Sequence, residues 1–150
     1  MKRSIKTFTI LLTVIILCGC SSTPIVDDTF GSKIMIKDIE AWLNLMPGGP
    51  GSFHITGKYS LSDGVNENEV FLDKIIIKEN EQTIYNFQAE IQLIDNDKNG
   101  IKEFIFLNPS NTIINPMLKD KEHIDATFVF SFNDKIIEKS FQNIPLTKAY

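Results

Sequence analysis

Cysteine is nearly absent from this chain of 150 residues, whose two cysteines, Cys18 and Cys20, stand one residue apart near its start. No cysteine follows residue 20, which excludes a disulfide framework, a thiolate metal site and a cysteine nucleophile from the rest of the chain. A disulfide between the two cysteines is disfavoured, because a loop of one residue strains the geometry that a disulfide requires. The pair therefore points to a different cysteine chemistry, confined to the first twenty residues.

Residues that carry catalysis are also scarce. The chain has two histidines, His54 and His123, and no Gly-x-Ser-x-Gly motif, which leaves little material for nucleophilic chemistry. The glycine-rich run of residues 48–51 precedes a predicted strand, whereas a phosphate-binding loop precedes a helix. Methionine and histidine, which soft metals prefer as ligands, show no close spacing. The sequence therefore predicts that the protein is not an enzyme.

No apolar run in the sequence is long enough to span a membrane as a helix. The run TFTILLTVIIL, residues 7–17, has about half of the roughly 20 residues that a transmembrane helix needs. It follows the basic residues Lys2, Arg3 and Lys6 and is followed by small residues, an order that is typical of a secretory signal peptide. A buried core helix would not explain that order.

The apolar run ends in Leu17-Cys18-Gly19-Cys20, which resembles the lipobox of bacterial lipoproteins. In that motif an aliphatic residue, a small residue and a glycine or alanine precede an obligatory cysteine; Cys18 stands where alanine or serine is usual. The resemblance implies cleavage between Gly19 and Cys20 and diacylglyceryl transfer to the Cys20 thiol, followed in many bacteria by N-acylation. Two or three acyl chains, at about 0.8 kcal/mol per buried CH₂, anchor a protein stably without spanning the membrane.

The residue after Cys20 and the net charge bear on location and partners. Ser21 follows Cys20, which by resemblance to lipoproteins of bacteria with two membranes favours the outer membrane. In a Gram-positive organism the same anchor implies the outer face of the plasma membrane. Without residues 1–19, twelve Lys and Arg remain against 19 Asp and Glu, a net charge of −7. Such an acidic chain is not expected to bind nucleic acid, which requires a basic surface.

The chain divides into three parts. Residues 1–19 form the predicted signal peptide, and residues 20–32 are small, polar and interrupted by Pro24 and Gly31, which predicts a flexible tether after the lipidated cysteine. Residues 33–150 are enough for a single domain with its own core.

The domain is predicted to be all-β. Apolar residues alternate with polar ones in short segments separated by turn-forming residues, and no long segment has helical periodicity. This pattern favours an antiparallel immunoglobulin-like β-sandwich of about seven strands, with an up-and-down barrel as the alternative. A bulge is predicted near Lys37-Asp38, where the apolar residues change side. The predicted strands are residues 33–46, 52–61, 68–79, 82–94, 101–108, 123–132 and 135–146.

The segment DNDKNGIKE predicts a weak calcium site. Asp95, Asp97, Asn99 and Glu103 match positions 1, 3, 5 and 9 of a calcium loop, where oxygen ligands converge on the cation. Position 12, which should be a bidentate glutamate, is Phe106, and strands flank the loop, so an EF-hand is excluded. The alternative is a polar hairpin turn closed by an Asn-Gly pair, whose residues favour positive φ.

The segment NLMPGGPGSFH predicts a shaped loop between two strands and a surface for a partner. Two prolines and three glycines restrict this loop, and the single tryptophan lies just before it. Loops held on a rigid scaffold often carry binding, and an exposed aromatic residue beside one suits a protein contact. The alternative is that the tryptophan packs inside and the loop is a tight crossover. The candidate contact residues are Trp42, Met46, Pro47, Pro50 and Phe53.

The expected function follows from these features. We expect a lipid-anchored protein of the cell envelope that acts as a non-catalytic binding or structural module, contacting an envelope protein through a sheet edge or the proline-glycine loop. Binding of calcium or another ligand is the alternative. No cofactor is expected beyond that calcium ion.

Overall fold

The computed structural model describes residues 28–94 and 101–150. The predicted signal peptide, the lipobox with Cys20 and most of the tether lie outside these residues, as do residues 95–100. The described residues form eight strands: β1 (Ile34–Asn44), β2 (Ser52–Leu61), β3 (Val70–Glu79), β4 (Gln82–Phe87), β5 (Glu90–Ile94), β6 (Lys102–Leu107), β7 (His123–Phe132) and β8 (Lys135–Ala149).

Helical structure in this part of the chain is brief. It consists of one α-helical turn, α1 (Asp28–Gly31), and two 3₁₀ turns, Glu67–Glu69 and Pro116–Leu118. No helix in the described ranges has the length and apolar character needed to cross a bilayer. The helix α1 falls within the predicted tether, and the Phe30 ring stacks on Phe132 at the end of β7, with ring centroids 3.7 Å apart.

The strands form one curled sheet in the order β4-β3-β7-β8-β1-β2-β6-β5. All neighbouring pairs are antiparallel except β1 and β8, which pair in parallel where Ala41–Asn44 lies beside Leu146–Ala149. The all-β prediction is confirmed, but a sandwich of two antiparallel sheets is not, because the eight strands belong to one mixed sheet that curls into a half-barrel. The long strand β8 is the physical reason, since its first part pairs with β7 and its last part with β1.

The core lies inside the curl of the sheet. Aromatic rings from β2 and β6 meet rings from β4 and β7, strands that are not neighbours in the sheet. The ring centroids of Phe106 and Phe128 are 5.0 Å apart, and those of Tyr59 and Phe130 are 5.3 Å apart. Gly57 makes this packing possible, because a Cβ there would lie 2.5 Å from Cζ of Phe106. The part of the sheet that contains β2 and β6 therefore faces the part that contains β4 and β7 across one apolar core.

Two local predictions along the strands are confirmed. The register of β1 against β2 shifts between Lys37 and Glu40, and Asp38 has a φ of 54°, so a bulge lies at the predicted place. The β7–β8 hairpin turns at Asn133 and Asp134, the two residues left between the predicted strands 123–132 and 135–146, and their φ are 46° and 61°. Positive φ at both central residues is the requirement of a type I′ hairpin turn.

The prediction of a continuous strand over residues 82–94 is wrong. The chain leaves the sheet after Phe87 and enters it again at Glu90, so that β4 and β5 form the two opposite edges of the sheet. Ile91 and Leu93, which lie on the apolar side of that predicted strand, are 37% and 57% exposed. The alternation of apolar residues continues through the crossover, which is why the sequence gives no sign of it.

The start of β1 and the loop between β1 and β2 lie at opposite ends of the domain. β1 begins beside Leu61, the last residue of β2, and runs for 11 residues to the loop before Ser52. At about 3.3 Å per residue, that loop lies roughly 30 Å from the point where the predicted tether joins the sheet.

Candidate functional site

The loop between β1 and β2 has its shape fixed by local backbone chemistry. The side-chain Oδ1 of Asn44 accepts a hydrogen bond from the backbone N–H of Met46 at 3.1 Å, which begins the turn. Gly51 ends it with a φ of 75°. A Cβ on Gly51 would lie 2.8 Å from Cδ1 of Ile114 and 3.0 Å from the carbonyl oxygen of Asn44, so only glycine fits.

A second segment, residues 108–115, lies against this loop and is held by Asn108. The buried Asn108 side chain accepts a hydrogen bond from the N–H of Ile55 at 2.8 Å and donates one to the carbonyl oxygen of Phe53 at 2.9 Å. The N–H of Phe53 donates in turn to the carbonyl oxygen of Thr112 at 2.8 Å. One amide side chain thus extends the edge of β2 and fixes where the second segment runs.

Tyr85 of β4 fixes the far part of the same segment. Its hydroxyl donates to the carbonyl oxygen of Ile113 at 2.8 Å and accepts from the N–H of Asn115 at 2.6 Å. The Tyr85 ring stacks on the buried ring of Phe53, with centroids 4.8 Å apart. Burial raises the pKa of the Tyr85 hydroxyl, which stays protonated and able to donate at neutral pH.

The two segments together enclose an open hollow of about 510 Å³, which we call the loop-end surface. None of the residues that line it carries a charge, although 23% of the residues in the chain are charged. Exposed apolar side chains, notably Met46 at 55% and Ile113 at 62%, alternate there with amides and hydroxyls. The lining residues are Asn44, Met46, Pro47, Gly49, Pro50, Gly51, Ser52, Ser110, Asn111 and Ile113.

The predicted contact residues separate into three groups. Met46, Pro47 and Pro50 line the hollow. Trp42 lies half-buried on β1 and stacks on His54 of β2, with ring centroids 4.9 Å apart and planes at 11°. Phe53 is fully buried in the core and does not reach a partner. Its burial follows from its position in the alternating apolar row of β2.

Sequence reasoning missed the half of the loop-end surface that comes from the second segment. Ser110, Asn111 and Ile113 lie between the predicted strands 101–108 and 123–132, and they meet the first loop because Asn108 binds β2. Those partners are more than fifty residues apart in sequence. The sequence gives no sign that Ile113 is exposed, since the isoleucine next to it, Ile114, is buried.

Ser52 and His54 form a hydrogen-bonded pair beside the hollow. The Ser52 hydroxyl lies 2.7 Å from Nε2 of His54. Burial lowers the pKa of His54, because charging the imidazole in this position removes the cation from water. The imidazole stacks on Trp42. Among the described residues, no carboxylate is hydrogen-bonded to the imidazole to orient it as in a catalytic triad.

The calcium prediction falls largely outside the described residues. Asp95, Asp97 and Asn99 are outside the described residues, whereas Glu103 lies on β6 and forms an ion pair with Lys37 of β1. The hydrogen bond with Glu103 is the main cause of the raised pKa of Lys37. In residues 28–94 and 101–150, no three His, Cys, Asp or Glu side chains are grouped to hold a metal.

Comparison with known proteins does not add to this picture. No protein-family model, no curated protein and no solved structure matches the chain.

Proposed function

We propose that this protein is a lipid-anchored, non-catalytic binding module of the cell envelope, and that it contacts an envelope protein through the loop-end surface. The observation that carries the proposal is the uncharged hollow between two segments that Asn108 and Tyr85 hold in place. Protein interfaces are depleted of charge at their centres and gain affinity when the surface is ordered before binding. Met46 and Ile113 are the side chains expected to contribute most to the contact.

The position of the loop-end surface supports a role in reaching a partner. Lipidation of Cys20 is proposed from the lipobox, and the tether enters the domain at the start of β1. The loop-end surface lies at the other end of β1, roughly 30 Å away. A domain tethered in this way presents the surface away from the outer membrane, or away from the plasma membrane in a Gram-positive cell.

We further propose that the curled sheet is a variant of the immunoglobulin-like sandwich. The strand order supports this, because β4-β3-β7-β8 and β1-β2-β6-β5 are two groups of four antiparallel strands that face each other across the core. The short parallel pairing of β1 with β8 joins the two groups. Such sandwiches place their loops at two ends, where binding surfaces commonly form.

We propose no catalytic role for the Ser52–His54 pair. A stacked imidazole bonded to a serine needs an orienting group and an oxyanion site to act on a substrate. The pair instead orders the sheet surface next to the hollow.

Site-specific crosslinking in intact cells tests the proposed function. A photo-crosslinking amino acid replaces Ile113 in the full-length lipidated protein, and attached proteins are identified by mass spectrometry. The matched control carries it at Met35, which is 63% exposed near the start of β1. We expect one envelope protein to be captured from position 113 and not from position 35. No capture above background, or equal capture from both positions, would overturn the proposal.

A further inference from the structure

The strand β5 is an edge strand with one unused side. It pairs with β6 in an unbroken register, with Ile91 opposite Phe106 and Leu93 opposite Phe104. Among residues 28–94 and 101–150, no strand pairs with its other side, since β5 ends the strand order. A free sheet edge presents backbone N–H and C=O groups that can pair with another strand.

Two apolar side chains of β5, Ile91 and Leu93, extend the row of core residues on β6 to the edge of the sheet, where they are exposed. Phe106 is fully buried, and its neighbour Ile91 on β5 is 37% exposed. Leu93 stands beside the half-buried Phe104 and is 57% exposed. An apolar row that begins in the core and ends uncovered at an edge is where a further strand would bury additional area.

The opposite edge of the sheet, formed by β4, is protected against pairing with another strand, whereas the edge formed by β5 is not. The register of β4 shifts where it pairs with Ile77 and Lys78, and a bulge of this kind turns an edge away from pairing. Tyr85 of β4 is also bonded to the segment that carries Ile113. The five residues of β5 contain no lysine, no proline and no register shift, and their one charge, Glu90, lies at the end of the strand.

We infer that β5 pairs antiparallel with β5 of a second copy of this chain. The sequence Glu90-Ile91-Gln92-Leu93-Ile94 is self-complementary when Gln92 lies on the two-fold axis. Ile91 then faces Leu93 of the second copy on the apolar side. Glu90 faces Ile94, and the two Glu90 carboxylates are about 14 Å apart, so like charges do not oppose each other.

A second copy fits this edge because Ile91 and Leu93 of the two copies face each other, and Glu90, the only charged residue of β5, faces an isoleucine and not a second carboxylate. The contact area of a five-residue strand is small, so the pair is expected to be weak in dilute solution. Confinement of many copies to one membrane raises their effective concentration and favours pairing. The edge of β5 is separate from the loop-end surface, so its pairing with a second copy does not depend on the proposed partner.

Cysteine crosslinking of the lipidated protein in its membrane tests the inference. Gln92→Cys places two thiols opposite each other, and opposite residues in antiparallel strands have Cα atoms about 4.5–5.5 Å apart, within disulfide range. The matched control is Asn86→Cys, an exposed position on the other edge strand. Under mild oxidation we expect a reducible species of twice the mass for Gln92→Cys, and monomer for Asn86→Cys and for the chain without an added cysteine.

The outcomes separate the alternatives. Monomer in all samples, equal dimer in both cysteine variants, or linkage of Gln92→Cys to a different protein would each overturn pairing with a second copy. Adding Leu93→Lys to Gln92→Cys is expected to reduce the dimer at least tenfold, because the lysine places a charge in the apolar row. Leu93 is exposed, so its replacement should leave the melting temperature unchanged. Dimer that persists in this variant would also contradict the inference.

Discussion

The side chain of Asn108 makes the hydrogen bonds to Ile55 and Phe53 that a neighbouring strand would otherwise make. Its Oδ1 accepts a hydrogen bond from the backbone N–H of Ile55 at 2.8 Å, and its Nδ2 donates one to the carbonyl oxygen of Phe53 at 2.9 Å. Asn108 is only 5% exposed, and β6 has ended one residue before it. A single side chain therefore satisfies two backbone groups of β2 that would otherwise be buried without partners. It also sets the path of the segment that completes the loop-end surface.

Replacing Asn108 is expected to destabilise the whole domain. Asn108→Ala leaves the N–H of Ile55 and the carbonyl of Phe53 without partners, and each buried unpaired group costs about 1–3 kcal/mol. We expect the free energy of unfolding, measured by urea denaturation, to fall by about 2–4 kcal/mol. The control Asn111→Ala, at an exposed position, should change it by less than about 0.5 kcal/mol. Similar values for the two variants would show that the amide contributes nothing special.

The glycines of the β1–β2 loop differ in what they tolerate. Gly51→Ala forces a Cβ against Ile114 at a φ of 75°, and we expect a loss of about 1–3 kcal/mol in the free energy of unfolding. Gly49 has nothing within 4 Å of a Cβ, so Gly49→Ala should be within about 0.5 kcal/mol of the original chain. Urea denaturation of the two variants measures the difference. Equal stability would mean that the loop relaxes around the added methyl group.

The His54 imidazole is expected to titrate below its usual pKa of 6.5, because burial opposes its charging. The unfolded chain then binds the proton more readily than the folded one. The stability contributed by neutral His54 is therefore complete above pH 6.5 and is lost as the pH falls from 6.5 through the folded pKa. Titration by NMR gives the value, and Trp42→Ala should move it toward 6.5 by exposing the ring. A pKa above 6.5 in the folded protein would contradict this assignment.

The strands were largely predictable, and the break between β4 and β5 was not. Alternation marked the core row of β2, the change of side in β1 marked its bulge, and the turn residues Asn133 and Asp134 marked a hairpin. The same alternation ran without interruption through the crossover after Phe87. Ile91 and Leu93 keep the side of the strand that the pattern assigned to them, but nothing in the described residues covers that side at the sheet edge.

The loop-end surface was half predictable for a related reason. Local composition indicated the loop with Met46, Pro47 and Pro50, because proline and glycine fix a backbone whatever lies around it. Ile113 joins them through hydrogen bonds between segments that are distant in sequence, and no local pattern records such pairings. The burial of Phe53 could have been deduced from its own row, since it alternates with the core residue Ile55.

Tyr85 links the stability of the domain to the order of the loop-end surface, and its hydroxyl can be removed without removing its ring. Tyr85→Phe keeps the stacking on Phe53 and loses the hydrogen bonds to Ile113 and Asn115. We expect the free energy of unfolding to fall by about 1–2 kcal/mol. The control is Tyr150→Phe, where the ring is 80% exposed and the change should be below about 0.5 kcal/mol.

The same variant tests whether partner capture depends on a fixed loop. In a domain that remains folded, freeing the segment around Ile113 raises the entropy lost on binding, so crosslinking from position 113 should fall severalfold. Crosslinking from position 35 serves as the reference for protein level. If Tyr85→Phe lowers stability and leaves capture from position 113 unchanged, the partner binds without needing the Tyr85 hydrogen bonds, and the ordered hollow is not what it recognises.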